Sequence, residues 1–239
     1  MIEFIIDENS ILNPTLLWGD FEWREPITTL TDQLTALVCL FAYLQFVYYK
    51  GKKSNSFEYY KYFFLFFFMG MTSAAWLGHG LQAYLSFGWK TIGWIFSSIG
   101  FLLVELGTLK DINNILPKNW IKGLKIFAFI QFITFVTLMI STQNFIFPQL
   151  NSTVSLVLFT LPLQLFTYIK TRNKAHLYIV LTILYAALPG YVYNNKISFH
   201  HWLNYHDISH LLMSLYMVFF FISTSKIAFL STKTEQNKA

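Results

Sequence analysis

Residues 26–53 read PITTLTDQLTALVCLFAYLQFVYYKGKK. Between Pro26 and Tyr49 the only charged side chain is Asp32, and the run stops at Lys50, Lys52 and Lys53. A helix over 26–49 rises about 1.5 Å per residue, reaching about 36 Å, enough to cross about 30 Å of hydrocarbon. Proline suits the first position of such a helix, where its missing N–H costs nothing. The stretch predicts a membrane-spanning helix with a basic end.

Six further runs have the same character, near 57–87, 90–110, 119–142, 149–170, 174–194 and 205–231. The breaks between them carry polar, Gly or Pro signals such as GKKSNS, DINNILPKN and TRNK. The expected fold class is therefore all-α, a bundle of seven transmembrane helices over 26–231. The short break at 87–90 requires a tight hairpin between spans two and three. Composition agrees: of 239 residues, 55% are hydrophobic, 20% aromatic and only 12% charged, against about 25% charged in soluble domains. The net charge of +5 does not indicate nucleic acid, because the basic residues sit in clusters between apolar runs rather than in one patch. A single cysteine, Cys39, excludes a disulfide framework.

Lys and Arg placement sets the expected orientation. Lys50, Lys52, Lys53 and Lys61 follow span one; Lys110, Lys118, Lys122 and Lys125 follow span three. Lys170, Arg172 and Lys174 follow span five, and Lys226, Lys233 and Lys238 lie at the C-terminal end. The other side holds only Arg24, Lys90 and Lys196. This alternation predicts an N-terminus outside and a C-terminus in the cytoplasm, with residues 232–239 as a cytoplasmic tail. The acidic segment 1–25 (Glu3, Asp7, Glu8, Asp20, Glu22 and Glu25 against Arg24) is expected outside, as a short interfacial helix or a cap on the bundle. Its first residues lack a basic start, so they are expected to stay in the mature protein.

Ionisable groups inside spans are costly and rare. Span seven opens with YHDISH, in which His206 and His210 stand four apart on one helix face, a spacing that offers two imidazoles to one metal ion. Span two carries His79 between Gly78 and Gly80, and span one carries Glu25 and Asp32 on one stripe. With the expected topology, three histidines and an acid from distant parts of the chain share one depth in the outer half of the membrane. Three neutral imidazoles with a water or carboxylate make a catalytic-type zinc site. A buried hydrogen bond between His79 and Asp32, and an interfacial His206–His210 pair beside Asp207, are the plainer readings. Glu105 and Lys110 are expected to snorkel to the inner surface. His176 is expected to be solvated there, and Gln131 and Gln164 to bond between helices. Pro162 and Pro189 are expected to kink spans five and six.

An acid at the start of span one, a His late in span two and H-x-x-x-H at the start of span seven together resemble the superfamily of alkaline ceramidases and progestin/adipoQ receptors. Glu25-Pro-Ile-Thr-Thr and HDISH…SLYMVFF are the segments most similar to it. The resemblance implies seven helices, an intramembrane zinc on His79, His206 and His210, and, on the ceramidase side, hydrolysis of a lipid amide. That family's Ser four residues before the span-two His is Ala75 here, and its Asp about eleven residues after it is Lys90. Asp32 or Asp207 would then supply the general base, with Glu25 a third candidate at the membrane edge. The expectation is a distant member, in a bacterial cytoplasmic membrane, acting on a lipid amide or ester that enters from the outer leaflet. The alternatives are a haem-binding electron carrier and a non-enzymatic, receptor-like or structural protein with a metal site.

Overall fold

The computed structural model describes residues 2–5 and 14–230, with side chains from 14 to 229. Residues 1, 6–13 and 231–239, including the expected tail, lie outside the described residues. Seven helices are long and apolar enough to cross a membrane: α1 Pro26–Tyr48, α2 Phe57–Gly80, α3 Phe87–Asp111, α4 Lys118–Thr142, α5 Ile146–Thr171, α6 Lys174–Asn194 and α7 Tyr205–Ala228. The chain is a multi-pass membrane protein built as an all-α bundle.

α1 packs between α2 and α7, α2 lies against α3, and α3 contacts α4 and α5; α6 fills in between α5 and α7. α3 is the most enclosed span and α4 the least, 61% against 17% of their apolar windows being buried, so α4 presents most of its surface to lipid. Lipid is as apolar as leucine, so close backbone approach must supply the packing energy between spans. The α2–α3 contact shows how. A methyl group added at Gly93 would stand 2.9 Å from the Gly70 carbonyl, and one at Gly70 would stand 3.1 Å from the Gly93 carbonyl. Phenylalanines fill the seam on the other side of α2: Phe46, Phe57, Phe63, Phe64 and Phe220 are all buried in one core cluster.

Two short β elements close the ends. β1 (Ile2–Ile5), β2 (Thr15–Trp18) and β3 (Phe21–Arg24) form an antiparallel sheet, with the β2–β3 turn made by Gly19 at positive φ. Of the two expectations for this segment, the described residues form not an interfacial helix but a cap, a hairpin over the end of α2. Phe21 stacks on Tyr84, Trp23 stacks on Trp76, and the Tyr84 hydroxyl receives the Glu22 N–H at 2.7 Å. At the opposite end, β4 (Lys52–Lys53) pairs with β5 (Phe229–Leu230), tying the exit of α1 to the exit of α7.

Two polar positions and one helix end differ from expectation. Glu105 does not snorkel; it is 1% exposed, because α3 lies in the middle of the bundle. His176 is buried rather than solvated, its Nδ1 donating to Gln164 Oε1 at 2.6 Å. The second helix stops at Gly80 instead of reaching 87, and residues 81–86 form a turn. Both glutamines do bond between helices. Gln164 reaches Thr108, Asp111 and Tyr60, and Gln131 reaches Ser155 and Asn151.

Gly93→Ala should destabilise the protein by about 1–3 kcal/mol, since backbone faces the added methyl and must move. Gly190→Ala, which meets nothing within 4 Å, should leave stability unchanged or slightly raised. Thermal unfolding of the two variants in one detergent compares them directly.

Candidate functional site

The end of the bundle covered by the hairpin gathers the polar residues of α1, α2 and α7. α1 begins at Pro26, directly after Glu25, whose backbone is left-handed at φ 46 and ψ 54. A non-glycine residue held there costs of order 1 kcal/mol, and such strain persists where surrounding structure enforces it. Here the enforcement is visible: the Glu25 N–H donates to the Pro14 carbonyl at 3.0 Å, and its own carbonyl accepts from Thr29 N at 2.9 Å and Thr29 Oγ1 at 3.0 Å. The twist sends the Glu25 carboxylate towards α2, where His79 Nδ1 donates to Glu25 Oε2.

His79 itself sits in a π-helical turn, Ala74–Gly80, that ends α2. Single π turns are rare and widen a helix locally. Gly80 lets the hairpin and α1 close over this turn, since a methyl group there would meet Trp23 Nε1 at 3.2 Å and Thr29 Oγ1 at 3.3 Å. His79 Nε2 faces Asp32 Oδ2 at 3.6 Å. Asp32 is 1% exposed. Its Oδ1 lies 3.1 Å from His210 Nδ1 but without the alignment of a hydrogen bond, and it has no other hydrogen-bond partner. The Asp32 carboxylate therefore lies between two imidazoles from two other helices.

α7 supplies the remaining groups and is positioned by its own cap. Asn204 Oδ1 accepts from His206 N at 2.8 Å and from Asp207 N at 3.4 Å, while Asp207 Oδ2 accepts from Asn204 N at 2.8 Å, the Asn204–Asp207 exchange making a reciprocal capping box. Asp207 Oδ1 accepts from Thr28 Oγ1 at 2.6 Å. Both Asp207 oxygens are thus occupied in fixing α7 to α1. Thr35 repeats that seam one level down, bonding to Ser214 Oγ at 2.7 Å and the His210 carbonyl at 3.2 Å. His206 packs its ring against Tyr205 and Tyr193.

Glu25, Asp32, His79 and His210 thus bring polar atoms to one place, the His206 ring lies 6.2 and 6.5 Å from the other two imidazoles, and Asp207 stands beside them in a structural role. The three imidazole rings form a nearly equilateral triangle, with centroids 6.2 Å (His79–His206), 6.0 Å (His79–His210) and 6.5 Å (His206–His210) apart. Zn–N bonds of about 2.0–2.1 Å place three ligating rings roughly 5–5.5 Å apart. The triangle is wider than that by about 1 Å, and among the described residues no group of three or more His, Cys, Asp or Glu is arranged to hold a metal ion. Burial acts to raise the pKa of Glu25, which precedes the span. The hydrogen bond and charge of His79, with Lys90 and His206 adding, outweigh burial and leave it below the ordinary glutamate value.

Sequence reasoning missed two features. The π turn left no trace in the apolar pattern beyond the Gly78 and Gly80 pair. The link from Glu25, the residue after the hairpin, to His79 depends on a backbone conformation that glutamate seldom adopts.

A family described as being of unknown function (DUF6962) matches residues 27–228, from the second residue of α1 to the last of α7. No curated protein and no solved structure matches the chain. With the match running through all seven spans, the chain belongs to the DUF6962 family.

Proposed function

We propose that the cluster binds zinc on His79, His206 and His210 and hydrolyses a lipid amide or ester at headgroup depth. The observation that carries this reading is the pattern of carboxylates on the imidazoles. Glu25 holds His79 through Nδ1, and Asp32 lies against Nδ1 of His210. Carboxylates on the far nitrogen of ligating histidines set the tautomer and ring angle, and they strengthen the ligand. Charge points the same way. Glu25, Asp32 and Asp207 bring three carboxylates together, with Lys90 as the ammonium acting on Glu25 and Asp32. A divalent cation makes up the difference. The donor types suit zinc, and ligation needs the triangle to contract by about 1 Å.

Zinc bound there would supply a water of lowered pKa and polarise a carbonyl. Asp32 is the proposed base: while Oδ1 faces His210 Nδ1, its Oδ2 stands 3.6 Å from His79 Nε2, beside the ligating nitrogen, where it would take a proton from the attacking water and pass it to the leaving group. Glu25 orients His79. Asp207 keeps α7 in place. The hairpin, with Trp23 over Gly80, limits water at the mouth. The lysine distribution supports an outer-leaflet position for the site, with the N-terminus outside and the C-terminus in the cytoplasm; the membrane proposed is a bacterial inner membrane. The resemblance to ceramidases supports an amide over an ester.

Elemental analysis of the purified protein should find about one zinc per chain, in keeping with a single three-histidine site. His79→Ala and His210→Ala should lose it while keeping the helical circular dichroism of the parent. Equal metal content in all three would overturn the reading. Glu25→Gln should keep the ligands but weaken zinc binding about 10–100-fold in chelator competition. For the orientation, Cys39 is buried and should stay silent to an impermeant maleimide on intact cells. A cysteine at Gln143 should react from outside, and one at Asn113 only after permeabilisation.

A further inference from the structure

A second polar cluster lies away from the histidines, between α3, α4 and α5. Glu105, Gln131, Asn151 and Ser155 are all buried, at 1%, 6%, 2% and 1% exposure. Ser155 and Gln131 lie against the Glu105 carboxyl, and Gln131 Nε2 donates to Ser155 Oγ at 2.7 Å and to Asn151 Oδ1 at 3.3 Å. Those bonds leave Glu105 Oε1, Gln131 Oε1 and Asn151 Nδ2 without partners. Among the described residues Glu105 forms no ion pair. It stands six residues before the end of α3 at Asp111, about 9 Å inside the span.

Three orphaned polar atoms around one carboxyl are more than a membrane interior tolerates, since each costs of order 1–3 kcal/mol and an isolated charge several more. We propose that Glu105, Gln131, Asn151 and Ser155 form a binding site for a small monovalent cation, a sodium ion or a proton. Oxygen donors without sulfur or imidazole suit a hard cation. One carboxylate balances one positive charge, whereas a divalent ion would leave the site net positive in lipid. The backbone is shaped for a guest as well. Ser155 lies in a second π-helical turn, Val154–Thr160, which widens α5 beside Glu105. Pro162 supplies no N–H to the carbonyl of Leu158 four residues before it, and the Thr160 hydroxyl in the same turn is also unpartnered.

Two measurements on wild-type protein in detergent test this. Dicyclohexylcarbodiimide, an apolar reagent that reacts with protonated carboxyls, should form an adduct at Glu105, read by peptide mass and absent in Glu105→Gln. If the guest is sodium, NaCl at about ten times its dissociation constant slows labelling about tenfold and raises the unfolding temperature, relative to choline chloride. If it is the proton, labelling falls as pH rises and ignores sodium. No adduct at any pH, together with identical unfolding in sodium and choline, would overturn the proposal. The zinc assay on the same preparations reads the histidine cluster separately, so one site can fail without the other.

Discussion

Hydrocarbon cannot hydrogen-bond, so each polar group that enters the bundle must find its partner in another helix or bring a guest with it. The arrangement of this protein follows from that constraint. Among the described residues, its buried carboxyl and imidazole side chains are not scattered; they meet in three places. Asp32, His79 and His210 gather near the hairpin, Glu105 and Gln131 between α3 and α5, and Asp111, Tyr60, Gln164 and His176 near the β4–β5 end. The third group is closed on itself by hydrogen bonds. The first two each retain an oxygen with nothing to accept from. That difference separates a cluster that holds helices together from one with chemistry left over.

α1 is the helix through which the first cluster is built. It faces α2 with Asp32, takes the hairpin's Trp23 on Thr29, and faces α7 with Thr28, Thr31 and Thr35. Threonine suits this seam because its hydroxyl can bond back to its own helix while its other side meets the neighbour, as Thr35 does with Thr31 and Ser214. Interhelical bonds of this kind contribute about 0.6 kcal/mol on average in membranes, so the seam's strength lies in their number. The same seam sets the height of His206 and His210 relative to Asp32.

The span number was legible because a bilayer demands about 20 apolar residues in a row, and that demand is written locally. The meeting of His79, His210 and Asp32 was legible for a related reason: charged groups inside spans are few, and depth follows from counting residues. Other features depend on neighbours and were not readable. Glu105 is near Lys110 and close to a span end, so snorkelling was the local expectation; only the central position of α3 buries it. His176 looked solvated because Lys174 is two residues away, yet Gln164 from α5 receives its ring. The hairpin was hidden because residues 15–24 mix acids with tryptophans, a composition that fits an interfacial segment equally well. Strand pairing there comes from tertiary contact with Tyr84 and Trp76.

The strand pair at the far end has a mechanical meaning. Lys52 and Lys53 bond to Phe229 and Leu230, the Ser54 N–H donates to the Ala228 carbonyl at 3.0 Å, and Tyr49 stacks on Phe229 at 4.1 Å. Since the threonine ladder already joins α1 to α7 at the histidine end, this clasp fastens the pair at both extremities, and the two helices must travel as a single plank. The other wall around Asp32 is built differently: there α2 finishes in a π-helical turn under a hairpin of ten residues. The fastened pair and the loosened turn thus stand on different sides of Asp32.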